Sequence, residues 1–170
     1  MTELEARLRR LEDRAEIQDL VVSYFFAVDS DDMPTVADAF APDAVFAVAG
    51  QTCGSSREDV VNFLVAERAK MRLTNHVLDA ALIRLESDDR ATGTVAAHLE
   101  LVYNGVALHG AVKYQDVYRR VGGRWRFERR DMRTLYLAPW AEAGDALNSN
   151  DPVRWPGQPR GPTDLPRRSG

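Results

Sequence analysis

Cysteine is almost absent from this chain, and so are other features that would place it in a specialised class. Its 170 residues include a single cysteine, Cys53, which cannot form an internal disulfide; we interpret it as structural or incidental, within a turn-like segment. No apolar run approaches the roughly 20 residues that a helix needs to cross a bilayer. The formal net charge of −4 offers no basic surface to nucleic acid. The sequence therefore argues against a disulfide scaffold, a membrane protein and a nucleic-acid-binding protein.

The N-terminal segment lacks the apolar stretch of a signal peptide and is dense in charged residues as far as Arg14. We therefore expect a cytoplasmic protein. The hydrophobic content of 45% and the charged content of 28% are ordinary for a globular chain. The length suits one domain with a substantial core.

The first half of the chain has the residue spacing of helices. Apolar residues recur every three or four positions over Glu3–Val28, without proline or glycine, which predicts one long helix or two nearly continuous ones. An acidic stop begins at Asp29, and a second helix is predicted over Met33–Phe40, with proline in its first turn. Two further elements are predicted, a strand over Ala44–Ala49 and a third helix over Ser55–Lys70.

The second half has the composition and turn signals of β-strands. Runs rich in Val, Leu and aromatic residues are separated by Ser-Asp-Asp and by the hairpin pairs Asn104-Gly105 and Gly122-Gly123. Helices followed by consecutive hairpins indicate an α+β fold, in which the helices pack into the concave side of a curved antiparallel sheet and leave a pocket. The predicted strands are His76–Glu86, Ala91–Tyr103, Val106–Val121 and Arg124–Tyr136.

The last segment is rich in proline, arginine and glycine. Its composition predicts an irregular or disordered tail over residues 148–170, after a domain of residues 1–147. At the other end, Leu4, Leu8 and Leu11 form a short apolar stripe among charged residues. This stripe is typical either of a small dimer seam or of a solvated helix that rests one face on its own domain.

Histidine is scarce, and one of the three histidines lies in a sequence context that suggests a role as a general base. His76 lies in a Leu-Thr-Asn-His segment, and Asp29 ends the long first helix. A carboxylate that binds one ring nitrogen leaves the other free to act as a base near neutral pH. The alternatives remain a buried structural histidine and, for Asp29, a solvated helix-stop residue.

Five segments together resemble the SnoaL-like group of the nuclear-transport-factor-2-like superfamily. They are Arg14–Leu20, the Tyr24-x4-Asp29 helix end, Phe40–Val45, Thr74-Asn-His76 and the Tyr118–Phe127 hairpin. The resemblance covers roughly residues 4–140. It implies a cone-shaped α+β fold with a deep pocket.

The resemblance also implies a reaction. In this group, scytalone dehydratase, hexachlorocyclohexane dehydrochlorinase and bile-acid 7α-dehydratase eliminate across a carbon–carbon bond with a His–Asp dyad, and His76 and Asp29 occupy the matching positions. The same comparison suggests Tyr24, His109 and Arg133 as hydrogen-bond donors to the developing enolate. Each has an ordinary alternative: core packing for Tyr24, an outward orientation for His109 and a surface charge ladder for Arg133. His98 matches no position and is interpreted as a strand residue without a role.

These residues predict a lyase that needs neither a cofactor nor a metal. We expect a dehydratase-type elimination on a cyclic, largely apolar hydroxy-ketone such as a polyketide or steroid-like metabolite. The alternatives are a polyketide cyclase or isomerase of the same fold, a non-catalytic small-molecule binding module, and a dioxygenase β-type subunit. The resemblance also implies a homodimer or a larger homo-oligomer.

Overall fold

The computed structural model of the chain describes residues 2–165. It contains four α-helices and one short 3-10 helix, Trp140–Glu142. The helices are α1 (Glu3–Asp29), α2 (Met33–Ala39), α3 (Arg57–Arg68) and α4 (Ala143–Asn148). The strands are β1 (Phe40–Val48), β2 (Gln51–Gly54), β3 (Met71–Leu85), β4 (Arg90–Tyr103), β5 (Val106–Val121) and β6 (Arg124–Pro139).

Helix α1 is continuous, and its sequence sets both ends. Thr2 and Glu5 form a capping box at its start. Its apolar stripe from Ile17 to Val28 is buried, whereas the leucines of the first three turns are more than half exposed. The helix ends at Asp29, and α2 begins two residues after Asp31, which adopts a left-handed φ of 59°. Among the described helices, none is both long and apolar enough to cross a membrane.

The six strands form one curved sheet in the order β2-β1-β6-β5-β4-β3. The predicted hairpin turns are present, since Asn104-Gly105 and Gly122-Gly123 have the positive φ values that such turns need. The four long strands β3 to β6 form the predicted antiparallel meander, and β1 joins the sheet through parallel pairing with β6. The sequence pattern missed the four-residue strand β2 and helix α4, which are too short to show a periodic signal.

A bulge in β6 decides which side chains of this strand face the core. Tyr118 pairs with Phe127 and Val117 pairs with Arg129, so that Glu128 is an extra residue on β6. An inserted residue reverses the alternation of a strand. After the bulge, Arg130 is therefore fully buried in the core. Simple alternation from Phe127 predicts instead that Arg129 faces the core.

The C-terminal segment continues along β6 rather than leaving the domain. Val153 forms a parallel bridge to Leu137 and an antiparallel bridge to Gly161. Between them, Trp155-Pro156-Gly157-Gln158 forms a β-turn, with the Gln158 N–H donating to the Trp155 carbonyl at 3.0 Å and Gly157 at φ 75°. The predicted tail is thus irregular but held by backbone hydrogen bonds as far as Asp164, whose N–H donates to the Thr134 carbonyl at 2.9 Å. Its last part, 166–170, lies outside the described residues.

Candidate functional site

A cavity of about 570 Å³ opens between the concave face of the sheet, α1 and α3. Its walls are mainly apolar, and the exposed residues Lys70, Asn104 and Gln158 mark its opening. Trp155 of the C-terminal turn lies beside this opening and packs edge-on against Tyr103, with ring centroids 5.4 Å apart. The lining also includes Tyr24, Val28, Phe46, Phe63, Leu64, Arg68, Met71, Thr74, His76, Leu99, Leu101, Tyr114 and Met132.

His76 and Asp29 are in direct contact at one wall of this cavity. His76 Nδ1 lies 2.6 Å from Asp29 Oδ1, and the His76 backbone N–H donates to Asp29 Oδ2 at 2.8 Å. The imidazole ring stacks on Phe25, with centroids 4.9 Å apart. These three contacts fix the orientation of the ring. Within the described part of the chain, Nε2 of His76 has no hydrogen-bond partner and remains available to a ligand.

The Asp29 carboxylate is held by more than the histidine. Thr74 Oγ1 donates to Asp29 Oδ1 at 2.8 Å, so this carboxylate accepts hydrogen bonds from two residues of β3. Burial alone would raise the pKa of Asp29, but the hydrogen bonds from His76 and Thr74 hold it below its ordinary value. Asp29 therefore remains an anion beside the imidazole at neutral pH.

Two tyrosines line the cavity, of which the sequence indicated only Tyr24. Tyr24 comes from α1 and Tyr114 from β5, and both rings are almost fully buried. Neither hydroxyl bonds to another residue in the described part of the chain. Burial raises the pKa of Tyr24 to about 12 and raises that of Tyr114 further, while Arg130 acts in the opposite direction. Both phenols are therefore protonated donors at neutral pH.

Arg130 lies behind these two rings, enclosed by aromatic side chains. Its guanidinium carbon is 3.9 Å from the Tyr114 ring centroid and 4.6 Å from that of Tyr24. Its Nε lies 3.7 Å from Asp116 Oδ1, which is also buried. Sequence reasoning missed Arg130 because Arg129, Arg130 and Arg133 look alike in a charged strand; the bulge in β6 distinguishes them.

The structure places the other two predicted donors away from the cavity. Arg133 does not line it; its Nη2 lies 2.6 Å from Asp131, which also accepts a hydrogen bond from Gly50 in the β1–β2 turn. Since the bulge turns Arg130 inward, Arg133 points to the other side of the strand.

His109 also lies outside the cavity. Leu108 and Tyr114 of the same strand face the core, so alternation directs His109 to the convex face. There its ring contacts Trp140, and its Nδ1 lies 3.2 Å from the Tyr136 hydroxyl.

A second His–Asp pair lies beside His109 on the convex face. His98 Nδ1 is 2.6 Å from Asp79 Oδ2, the same separation as in the His76–Asp29 pair. Both side chains of this second pair are more than a third exposed, and neither lines the cavity. A short His–Asp distance is therefore not sufficient to mark a site. In the described residues, no group of three or more His, Cys, Asp or Glu side chains has the arrangement to hold a metal ion.

The helices packed on a curved sheet around a deep cavity form the cone-shaped fold of the nuclear-transport-factor-2-like superfamily. The sequence profile of the SnoaL-like domain matches residues 9–131. The chain belongs to this family.

Solved structures agree with this assignment. A hexachlorocyclohexane dehydrochlorinase, LinA-type3 of Novosphingobium barchaimii LL02, is 27% identical, with a TM-score of 0.70 over 79% of this chain and 94% of that one. An aromatic-ring-hydroxylase-like protein of Novosphingobium aromaticivorans is 28% identical, with a TM-score of 0.70 over 78% and 96%. A scytalone-dehydratase-like protein of N. aromaticivorans DSM 12444 shares the fold at 20% identity, with a TM-score of 0.72 over 78% and 90%.

Proposed function

We propose that the protein is a cofactor-independent lyase that removes water from a cyclic, largely apolar hydroxy-ketone of the polyketide or steroid-like kind. The observation that carries this proposal is the His76–Asp29 contact at the wall of a mainly apolar cavity, with one ring nitrogen free. The similarity to a dehydrochlorinase, which is also an eliminating enzyme, supports the reaction class. The apolar walls and the Trp155 ring at the opening support a cyclic apolar substrate.

The proposed reaction begins with proton transfer. His76 Nε2 removes a proton from the carbon next to the substrate carbonyl, and Asp29 stabilises the resulting imidazolium. The electron pair of the broken C–H bond moves to the carbonyl oxygen and forms an enolate. The Tyr24 and Tyr114 hydroxyls donate hydrogen bonds to this oxygen, and the Arg130 charge behind the rings adds electrostatic stabilisation.

Elimination completes the cycle without a net change in the protein. The enolate electrons form the carbon–carbon double bond as the bond from the β-carbon to the hydroxyl breaks. The imidazolium of His76 returns its proton to the departing hydroxyl, which leaves as water. His76 is again neutral and paired with Asp29, so the elimination needs no metal and no redox partner.

A direct test uses 3-hydroxy-1-tetralone, a β-hydroxy ketone fused to an aromatic ring. Loss of one water from this compound gives 1-naphthol, which is followed by its absorbance and identified by mass spectrometry. We expect protein-dependent formation of 1-naphthol. A product of unchanged mass would instead favour the cyclase or isomerase alternative, and binding without any product would favour a binding module or a β-type subunit.

The two phenols give a prediction about the enolate. Tyr24→Phe and Tyr114→Phe should each lower kcat on 3-hydroxy-1-tetralone about tenfold or more. Each removes one hydrogen-bond donor, and this hydrogen bond is strongest when the substrate carbonyl oxygen becomes the negatively charged enolate oxygen. KM should change less than kcat. Tyr136→Phe is the matched control, since this hydroxyl contacts His109 on the convex face. Equal losses in all three variants would contradict the assignment of the donors.

A further inference from the structure

Arg68, Thr74 and Asp29 form a continuous chain of hydrogen bonds that leads to His76. Arg68 Nη1 donates to Thr74 Oγ1 at 2.6 Å, and the same hydroxyl donates to Asp29 Oδ1 at 2.8 Å. Asp29 Oδ1 is also the atom that lies 2.6 Å from His76 Nδ1. The hydroxyl of Thr74 thus accepts from Arg68 on one side and donates to Asp29 on the other, so its proton points at the Asp29 carboxylate.

Three elements of the fold contribute to this chain, and the sequence explains why they meet. Asp29 ends α1, Arg68 is in the last turn of α3, and Thr74 precedes His76 by two residues on β3. A separation of two places the Thr74 and His76 side chains on the same face of the strand. A cation in the last turn of a helix also interacts favourably with the helix dipole.

Arg68 is itself fixed from a second direction. Its Nε donates to Asp31 Oδ1 at 2.7 Å, and its side chain is 9% exposed. Asp31 has the left-handed backbone conformation in the short connection that follows Asp29. The guanidinium therefore connects the loop after α1 with the strand that carries His76.

We propose that Thr74 and Arg68 are positioning residues: they hold the Asp29 carboxylate in the rotamer that keeps the His76 ring directed at the cavity. This inference rests on the proposed role of His76 as a base. A carboxylate on a free side chain can rotate, and a misplacement of about 1 Å in a catalytic group can cost about 100-fold in rate. With Thr74 Oγ1 on Oδ1 and the His76 backbone N–H on Oδ2, rotation of Asp29 breaks two hydrogen bonds at once.

The matched substitutions are Thr74→Val, which keeps the shape and removes the hydroxyl, and Thr74→Ser, which keeps the hydroxyl. Thr74→Val should lower kcat on 3-hydroxy-1-tetralone about tenfold while KM stays within about twofold. Thr74→Ser should stay within about threefold of the wild type. Arg68→Met should change kcat in the same direction as Thr74→Val, and Thr94→Val, on the neighbouring strand β4, should have no effect because Thr94 does not line the cavity.

A second measurement needs no substrate. The Nδ1–H proton of His76 gives a low-field proton resonance when it is held by Asp29, and the resonance is assigned by its loss in His76→Ala. The measurement is made in a His98→Ala background, because the His98–Asp79 pair has the same geometry. Thr74→Val and Arg68→Met should speed exchange of this proton with solvent about tenfold or more, since a less constrained carboxylate opens more often.

The two readouts separate this inference from the proposed function. If 3-hydroxy-1-tetralone is not turned over, the lyase proposal fails, but proton exchange still tests the positioning role. Thermal melting checks that each variant is folded. The inference is overturned if Thr74→Val leaves both kcat and the exchange rate within about twofold of the wild type, or if Thr94→Val produces the same changes.

Discussion

His76→Ala is expected to lower turnover of 3-hydroxy-1-tetralone by at least about 100-fold, because proton transfer by a positioned side chain contributes about 10²–10⁴-fold. Asp29→Asn should cost nearly as much. An amide has only one oxygen, so it cannot accept the hydrogen bonds that both carboxylate oxygens now accept, and it does not stabilise an imidazolium. The measurement is kcat under saturating substrate for both variants.

The double variant and a matched histidine variant make this prediction sharper. His76→Ala combined with Asp29→Asn should be no slower than His76→Ala alone, since the carboxylate has no function without the base. His98→Ala should retain full activity, although His98 has a carboxylate partner at the same 2.6 Å distance. If His76→Ala kept full activity, the base would lie elsewhere, and the His76–Asp29 pair would not be the catalytic dyad.

The sequence was sufficient to predict the parts of the site that depend on regular periodicity. The unbroken stripe of α1 places Asp29 at a helix end, and the hairpin signals place His76 on the first long strand of the meander. A helix packed across the concave face of the sheet brings these two positions together. The resemblance to the SnoaL-like group added the pairing itself, which neither residue reveals alone.

Irregularities of the backbone explain what the sequence did not predict. A β-bulge leaves little signal in residue composition, so the sequence did not show that alternation reverses at Glu128. For the same reason it did not show that Arg130 faces the core and that Arg133 faces the other side of the strand. His109 was ambiguous because a strand with small residues on both faces fits either orientation until its neighbours are known. The turn at Trp155 carries a Pro-Gly signal, but its contact with the cavity depends on the bridge of Val153 to β6.

Arg130→Met is expected to lower the free energy of unfolding by about 3–5 kcal/mol, the usual cost of removing one member of a buried ion pair. The loss arises because the Asp116 carboxylate remains buried without the nearby positive charge. Urea or thermal unfolding at neutral pH measures it. Arg124→Met is the control, because Arg124 is 68% exposed and its pair with Asp38 should contribute at most about 1 kcal/mol.

The same argument predicts a rescue and a pH dependence. Adding Asp116→Asn to Arg130→Met should recover most of the lost stability, since the buried charge is gone and the Tyr118 hydroxyl still has an oxygen to bond. Burial raises the pKa of Asp116 from 3.8 to about 6, while Arg130 lowers it, so in Arg130→Met the carboxyl should hold its proton to higher pH. A carboxyl whose pKa is raised in the folded state favours folding when protonated, and this contribution is lost as the pH rises through the folded pKa. The stability deficit of Arg130→Met should therefore be small near pH 5 and largest near pH 8. A deficit that is independent of pH, or that Asp116→Asn does not reduce, would mean that Arg130 stabilises the core through its aromatic contacts instead.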